Sequence, residues 1–143
     1  MALGRAMQES RPKRTYDIEA LEELIATLLD ASYHGAAIIV EGRRDLQALR
    51  ALGLTGPVIM ASRRCALDLA EDAARSYPHI ILLTDWDDKG DEMCRTLERH
   101  LRSAGSRPDR EIRSRLKKLV KKEIKDVESL SQYAERMREQ YGN

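Results

Sequence analysis

Apolar positions along this chain follow two different rhythms. From Asp17 onward Ile18, Leu21, Leu24, Ile25, Leu28 and Leu29 recur at helical spacing, with Glu19, Glu22 and Glu23 off that face. This predicts an amphipathic helix over 15–34, closed by Gly35. The rhythm then changes to short continuous apolar runs at 36–40, 57–60 and 80–83. Runs of that length suit strands buried on both faces of a parallel sheet. Between and after them lie helical stretches at 44–52, 64–76 and 88–104, ended by Gly53, Pro78 and Gly105. In the second of these, Leu67, Leu69, Ala70 and Ala73 are available for packing.

Strand, helix, strand, helix, strand, helix is the order of an α/β fold. It predicts a central, mostly parallel sheet with helices on both faces. Four stretches follow: a flexible basic arm over 1–14, an N-terminal helix over 15–34, a core over 35–106, and a basic helical extension over 107–143 that packs on the core. Ligands of such sheets sit beyond the carboxyl ends of the strands. After the first run stand Glu41, Gly42, Arg43, Arg44 and Asp45; after the third stand Thr84, Asp85, Trp86, Asp87, Asp88, Lys89 and Gly90.

Glu41, Asp85 and Asp87 could therefore converge at one edge. Gathered carboxylates repel one another, so one would hold its proton unless a cation is present. Oxygen ligands without a nearby His or Cys favour Mg²⁺, with Mn²⁺ as a substitute, over zinc. Gly42 and Gly90 suit sharp backbone turns at strand ends. Asp45 begins a helix and could cap it or support the acidic group. Arg43, Arg44 and Lys89 flank the carboxylates. They could hold phosphate oxygens or be solvated loop charges.

These residues carry a family resemblance. Val40-Glu41-Gly42 with Asp45, then Leu83-Thr84-Asp85-Trp86-Asp87 with Gly90, resemble the two signatures of the Toprim domain over about 36–105. That module is shared by bacterial-type primases, type IA and type II topoisomerases, OLD-family nucleases and ribonuclease M5. The whole chain is similar to small stand-alone Toprim proteins of archaea, in which a basic helical tail contains a stretch like Ile124 to Leu130 here. The resemblance implies a three-layer, Rossmann-like Toprim fold. It implies Glu41 as general acid/base and metal contact, and Asp85 and Asp87 as ligands of one or two Mg²⁺ ions.

Composition narrows the setting. The 143 residues are 42% apolar and 34% charged, with no Phe, which suits one soluble domain with an aliphatic core. Cys65 and Cys94 form no CxxC and read as reduced thiols of a cytoplasmic protein. Cys65 follows Arg63 and Arg64; a small buried helix residue is the plain reading, an activated thiol the other. No signal peptide or membrane span is expected. The net charge is only +1, so any nucleic-acid affinity must be local. It is local over 107–125, where nine basic residues face Asp109, Glu111 and Glu123. There Ile112, Leu116, Leu119, Val120 and Ile124 would face the sheet. Arg113, Lys117 and Lys121 form a second stripe that either follows a phosphate backbone or is simply solvated. A last helix is expected over 126–141, with Val127, Leu130 and Met137 packing. Trp86 could stack on a base or pack on a neighbouring helix.

Other carboxylate folds fit poorly. A receiver domain wants its acidic pair after the first strand, and a haloacid-dehalogenase phosphatase wants its DxD there. GxGxxG and the P-loop are absent. The chain lacks the strand-passing body of a topoisomerase, and Tyr16, Tyr33, Tyr77, Tyr133 and Tyr141 have no such context. It also lacks a primase's zinc domain. The expectation is a small Mg²⁺-dependent nuclease of structured RNA resembling ribonuclease M5, with DNA less favoured. The alternative is a Mg²⁺-binding module without turnover that contacts nucleic acid, a partner protein or a second copy in a ribosomal, repair or replication assembly.

Overall fold

The computed structural model describes residues 13–141. Helix α1 spans Lys13–Tyr33, β1 Ala37–Val40, α2 Arg43–Ala51 and β2 Val58–Met60. A 3-10 turn at Ala61–Arg63 leads to α3, Ala66–Ser76. Then come β3, Ile80–Leu82, and α4, Asp88–Ser103. Helices α5, Glu111–Val120, and α6, Leu130–Tyr141, complete the chain. The basic arm expected over 1–14 lies outside the described residues up to position 12, and Lys13 already opens α1. Among the described residues no helix is long and apolar enough to cross a membrane.

The three strands form one parallel sheet in the order β2-β1-β3. Every residue of β1 and β3 is buried, as a central strand covered on both sides requires. Alternation divides them between two cores. Ile38, Val40, Ile81 and Leu83 pack with α1, Leu49 of α2, α5 and α6. Ile39, Ile80 and Leu82 pack with Leu69, Ala70 and Ala73 of α3 and Cys94, Leu97 and Leu101 of α4. The molecule is thus an α/β fold in three layers, with helices on both faces of a small sheet.

The helix after β1 lies on one face and the helix after β3 on the other. Their strands are neighbours, so the carboxyl ends of β1 and β3 mark the switch point beyond which ligands of such sheets bind. The register pairs Ile39 with Leu82, and the Leu83 N–H reaches Ile39 O at 2.8 Å. This sets Glu41 beside the start of the 84–87 loop. The outer edge of β3 is covered in parallel by Asp109, whose N–H and C=O bond Ile80 and Leu82 at 2.8 Å each.

Several local expectations change. Gly35, Gly53 and Gly105 do take positive φ at helix ends. The helix expected over 64–76 starts at Ala66, beyond the 3-10 turn at Ala61–Arg63. Leu67 is 48% exposed, so only Leu69, Ala70 and Ala73 of that set pack. Cys65 is exposed just ahead of α3, which overturns its reading as a buried helix residue; Cys94 is buried. The helix expected over 107–125 is confined to Glu111–Val120. The last helix begins at Leu130, four residues after Asp126.

The 107–141 extension supplies Ile112, Leu116, Val120, Ile124, Val127, Leu130 and Met137 to the core shared with Ile38 and Val40. Cutting the chain after residue 106 is expected to abolish cooperative urea unfolding. Leu116→Ala in the full chain is expected to cost about 2–5 kcal/mol, read from the urea midpoint. A truncated chain that unfolds cooperatively would show the extension to be dispensable.

Candidate functional site

The acidic edge is built on one short loop. The Asp85 N–H donates to Glu41 Oε2 at 2.9 Å, joining the ends of β1 and β3. Thr84, fully buried, donates its hydroxyl to Gly90 O at 2.8 Å. Asp87 caps α4 by accepting from the Gly90 N–H at 2.7 Å. Gly90 is required for closeness rather than for turning: a Cβ there would lie 1.9 Å from Asp85 O. Gly42 corrects the expectation of a sharp turn. Its φ of −150° is ordinary extended backbone, and the nearest atom to an added Cβ would be Ser62 Oγ at 3.9 Å.

The extension grips the same loop from the other side. Arg113 is 7% exposed. Its Nε–H donates to Thr84 O at 2.9 Å, and its NH2 group donates to Asp85 O and to Asp91 Oδ1. Lys117 holds the other Asp91 oxygen at 2.6 Å. The Trp86 N–H donates to Lys125 O at 3.1 Å and its indole N–H to Ile124 O at 2.9 Å. The Val127 N–H donates to Asp85 Oδ1 at 2.9 Å. Two stacking and phosphate candidates change role accordingly. Trp86 is 4% exposed and packs in the core, so it offers no face to a base. Arg113 is a buried cross-link, so it leaves the expected surface stripe with Lys117 and Lys121 only.

Electrostatics concentrate here. Burial, with Asp45, Glu41 and Asp126 nearby, pushes Asp85 from an ordinary 3.8 up to about 7 despite the Val127 bond. Glu41 is also raised, first by burial and then by Asp87 and Asp45, while Lys89 pulls it down. Asp45 is raised by burial and by Asp126 and Glu128, against the N–H of Gly42, which its Oδ2 accepts at 3.0 Å. Asp45 is therefore both a cap of α2 and a member of the acidic group. Arg43 and Lys89 are exposed, and Arg44 lies 3.6 Å from Glu128.

Asp126, Glu128 and Asp91 were not among the residues singled out from the sequence. Asp126 lies in a break between helices, where no periodicity places a side chain. The one signal was the Ile124 to Leu130 stretch itself. Asp91 reads as an ordinary acid in the first turn of α4 until Arg113 is seen to reach it.

The donors present are hard oxygens whose mutual repulsion a divalent cation would relieve, so their chemistry fits such an ion. The arrangement is not a ready-made cage. Among the described residues no three His, Cys, Asp or Glu side chains are gathered so as to hold a metal. Three carboxylates would have to move toward one another to share an ion, whereas an ion held by one or two would keep several waters.

Two outcomes follow. A carboxyl with a raised folded pKa stabilises the fold fully below its unfolded value, and that stability is lost as pH rises toward the folded value. In EDTA, thermal melts of wild type should fall between about pH 4 and 7. Asp85→Asn should flatten that fall and melt higher than wild type at pH 8; an unchanged profile would remove Asp85 as its source. Arg113→Ala should cost about 2–4 kcal/mol in urea unfolding, because it strands buried acceptors. Arg113→Lys should rescue little of it, since one ammonium cannot span the fork.

No protein-family model matches the chain. It is 40% identical to a UPF0292 protein of Methanosarcina barkeri over 121 residues, 85% of each chain. It is 38% identical to one of Methanosarcina acetivorans over 125 residues, 87% of each. A solved structure, described as a putative protein from Aquifex aeolicus, superposes with a TM-score of 0.66 at 30% identity, covering 76% of this chain and 95% of that one. With its length shared so nearly in full with such relatives, this chain belongs to the UPF0292 family.

Proposed function

We propose that the chain is a Toprim-type protein that acts with Mg²⁺ on nucleic-acid phosphodiesters, as a small nuclease of structured RNA resembling ribonuclease M5. The observation that carries this reading is the bond from the Asp85 N–H to Glu41 Oε2, which brings the two motif carboxylates to one sheet edge. Asp87 stands two residues on at the start of α4. Glu41, Asp85 and Asp87 would hold the metal. When bound, Mg²⁺ would supply charge stabilisation for the oxygens around the reacting phosphorus.

The chain's own groups do the rest. Glu41, half-buried and with its carboxyl raised by burial, suits proton exchange with water or a hydroxyl in hydrogen-bond reach. The buried Arg113 and the Val127 N–H hold Asp85 in place. Asp126 adds negative charge to the cluster. Arg43, Arg44 and Lys89, all exposed beside the carboxylates, suit contacts to flanking phosphates.

The test is cleavage of pooled cellular RNA and DNA in Mg²⁺ or Mn²⁺. The proposal expects metal-dependent cleavage, RNA favoured, that falls at least roughly 100-fold in Glu41→Gln and is lost in Asp85→Asn. Equal activity in all three proteins would overturn the assigned site. Metal-dependent nucleic-acid binding without cleavage would replace the nuclease with a non-catalytic binding module.

A further inference from the structure

Beside the carboxylates lies a cavity of about 320 Å³, lined by Trp86, Asp87, Asp88, Lys117, Lys121 and Lys125. Its two walls carry opposite charge. The start of α4 supplies Asp87 and Asp88; the end of α5 and the chain beyond it supply the lysines. Opposite charges that share a cavity ordinarily close on each other. Here they do not: among the described residues the only ion pair formed by a lining residue joins Lys117 to Asp91, outside the cavity. Lys121 and Lys125 are exposed, and neither pairs with an acid among the described residues.

Two further facts limit what fits. The one ring on the wall, Trp86, is 4% exposed with its N–H bonded to Ile124 O, so the cavity offers no stacking platform. The lysines present point charges without the planar fork that reads a base edge or a carboxylate in two places. A larger groove of about 530 Å³ between α1 and α5 is lined mainly by apolar surface and by none of these residues.

We infer that this cavity seats the phosphodiester backbone of a nucleic-acid strand, held by Lys121 and Lys125 beside a Lys117 fixed by Asp91, and that it reads the backbone without reading sequence. The inference deepens the proposed function by placing the strand that flanks the reacting phosphate, and it rests on that reading only for the chemistry next door. The lysines lead the strand toward Asp87, so one wall holds phosphate charge while the other belongs to the acidic edge. Lys125 joins the phosphate contacts, and Arg113 leaves them.

The experiment is fluorescence anisotropy of a labelled single-stranded RNA of roughly 20 nucleotides, and of DNA of the same sequence, titrated in EDTA over a range of salt. Lys121→Gln/Lys125→Gln is expected to bind roughly tenfold more weakly. Its slope of log affinity against log salt should be lower by roughly 1.4, two single-strand phosphate contacts. Lys118→Gln/Lys122→Gln removes the same charge outside the cavity and should change binding little. Scrambled sequences should bind alike. No oligonucleotide binding by wild type, or equal losses in the two double variants, would overturn the inference. Calorimetric Mn²⁺ uptake by wild type and Asp85→Asn separates the two claims. Absent uptake with the lysine effect intact sinks the metal reading and leaves the strand site standing.

Discussion

The Arg113 guanidinium ties together three places the chain would otherwise leave independent: the end of β3, the loop that carries the aspartates, and the first turn of α4. A buried guanidinium is tolerable only when its donors find acceptors, and here two backbone carbonyls and a carboxylate provide them. The same bonds fix the direction in which Asp85 leaves the sheet. Without them the loop would keep Thr84, the Asp87 cap and the bonds of Asp85 and Trp86 to Glu41, Ile124, Lys125 and Val127, but would lose its tie to α4 through Asp91. Geometry at the acidic edge is therefore a property of α5 as much as of the strands.

That dependence explains which parts were legible in the sequence. The runs around Ile38 and Ile81 suited strands covered on both faces, and the strand ends told where to look for carboxylates. The Asp85 backbone N–H does reach the Glu41 carboxylate, but among the described residues Glu41, Asp85 and Asp87 are not gathered as a three-carboxylate cluster. What escaped was contact at long separation. Arg113 sits in a pattern of basic residues at helical spacing, and nothing local distinguishes it from Lys117 or Arg115. Its burial follows from the way α5 docks on the sheet. Asp126 escaped for the same reason: it belongs to irregular backbone whose path is set by Trp86 and Asp85. Gly42 was misread in the opposite sense, since a glycine at a strand end need not be there for its freedom.

Charge is distributed so that neither sign dominates the whole chain, yet each dominates a wall. Burial and proximity raise Glu41, Asp45 and Asp85 together, a cost the fold keeps in place with backbone donors rather than with neutralising arginines. The buried Arg113 comes close yet turns its donors to carbonyl oxygens and to Asp91, while Arg43 and Arg44 stay exposed at the rim. An edge arranged this way stays acidic, and the nearby cation Lys89 draws Glu41 down only in part.

The bond from Val127 to Asp85 crosses 42 residues of sequence. Contacts of such separation form late, after the loop between them has been closed. On a ribosome, strands β1 and β3 emerge well before the segment that completes their edge. The nascent chain therefore carries Glu41 and Asp85 for some time without the bonds that hold their loop, and that geometry is complete only once the segment through Val127 has emerged.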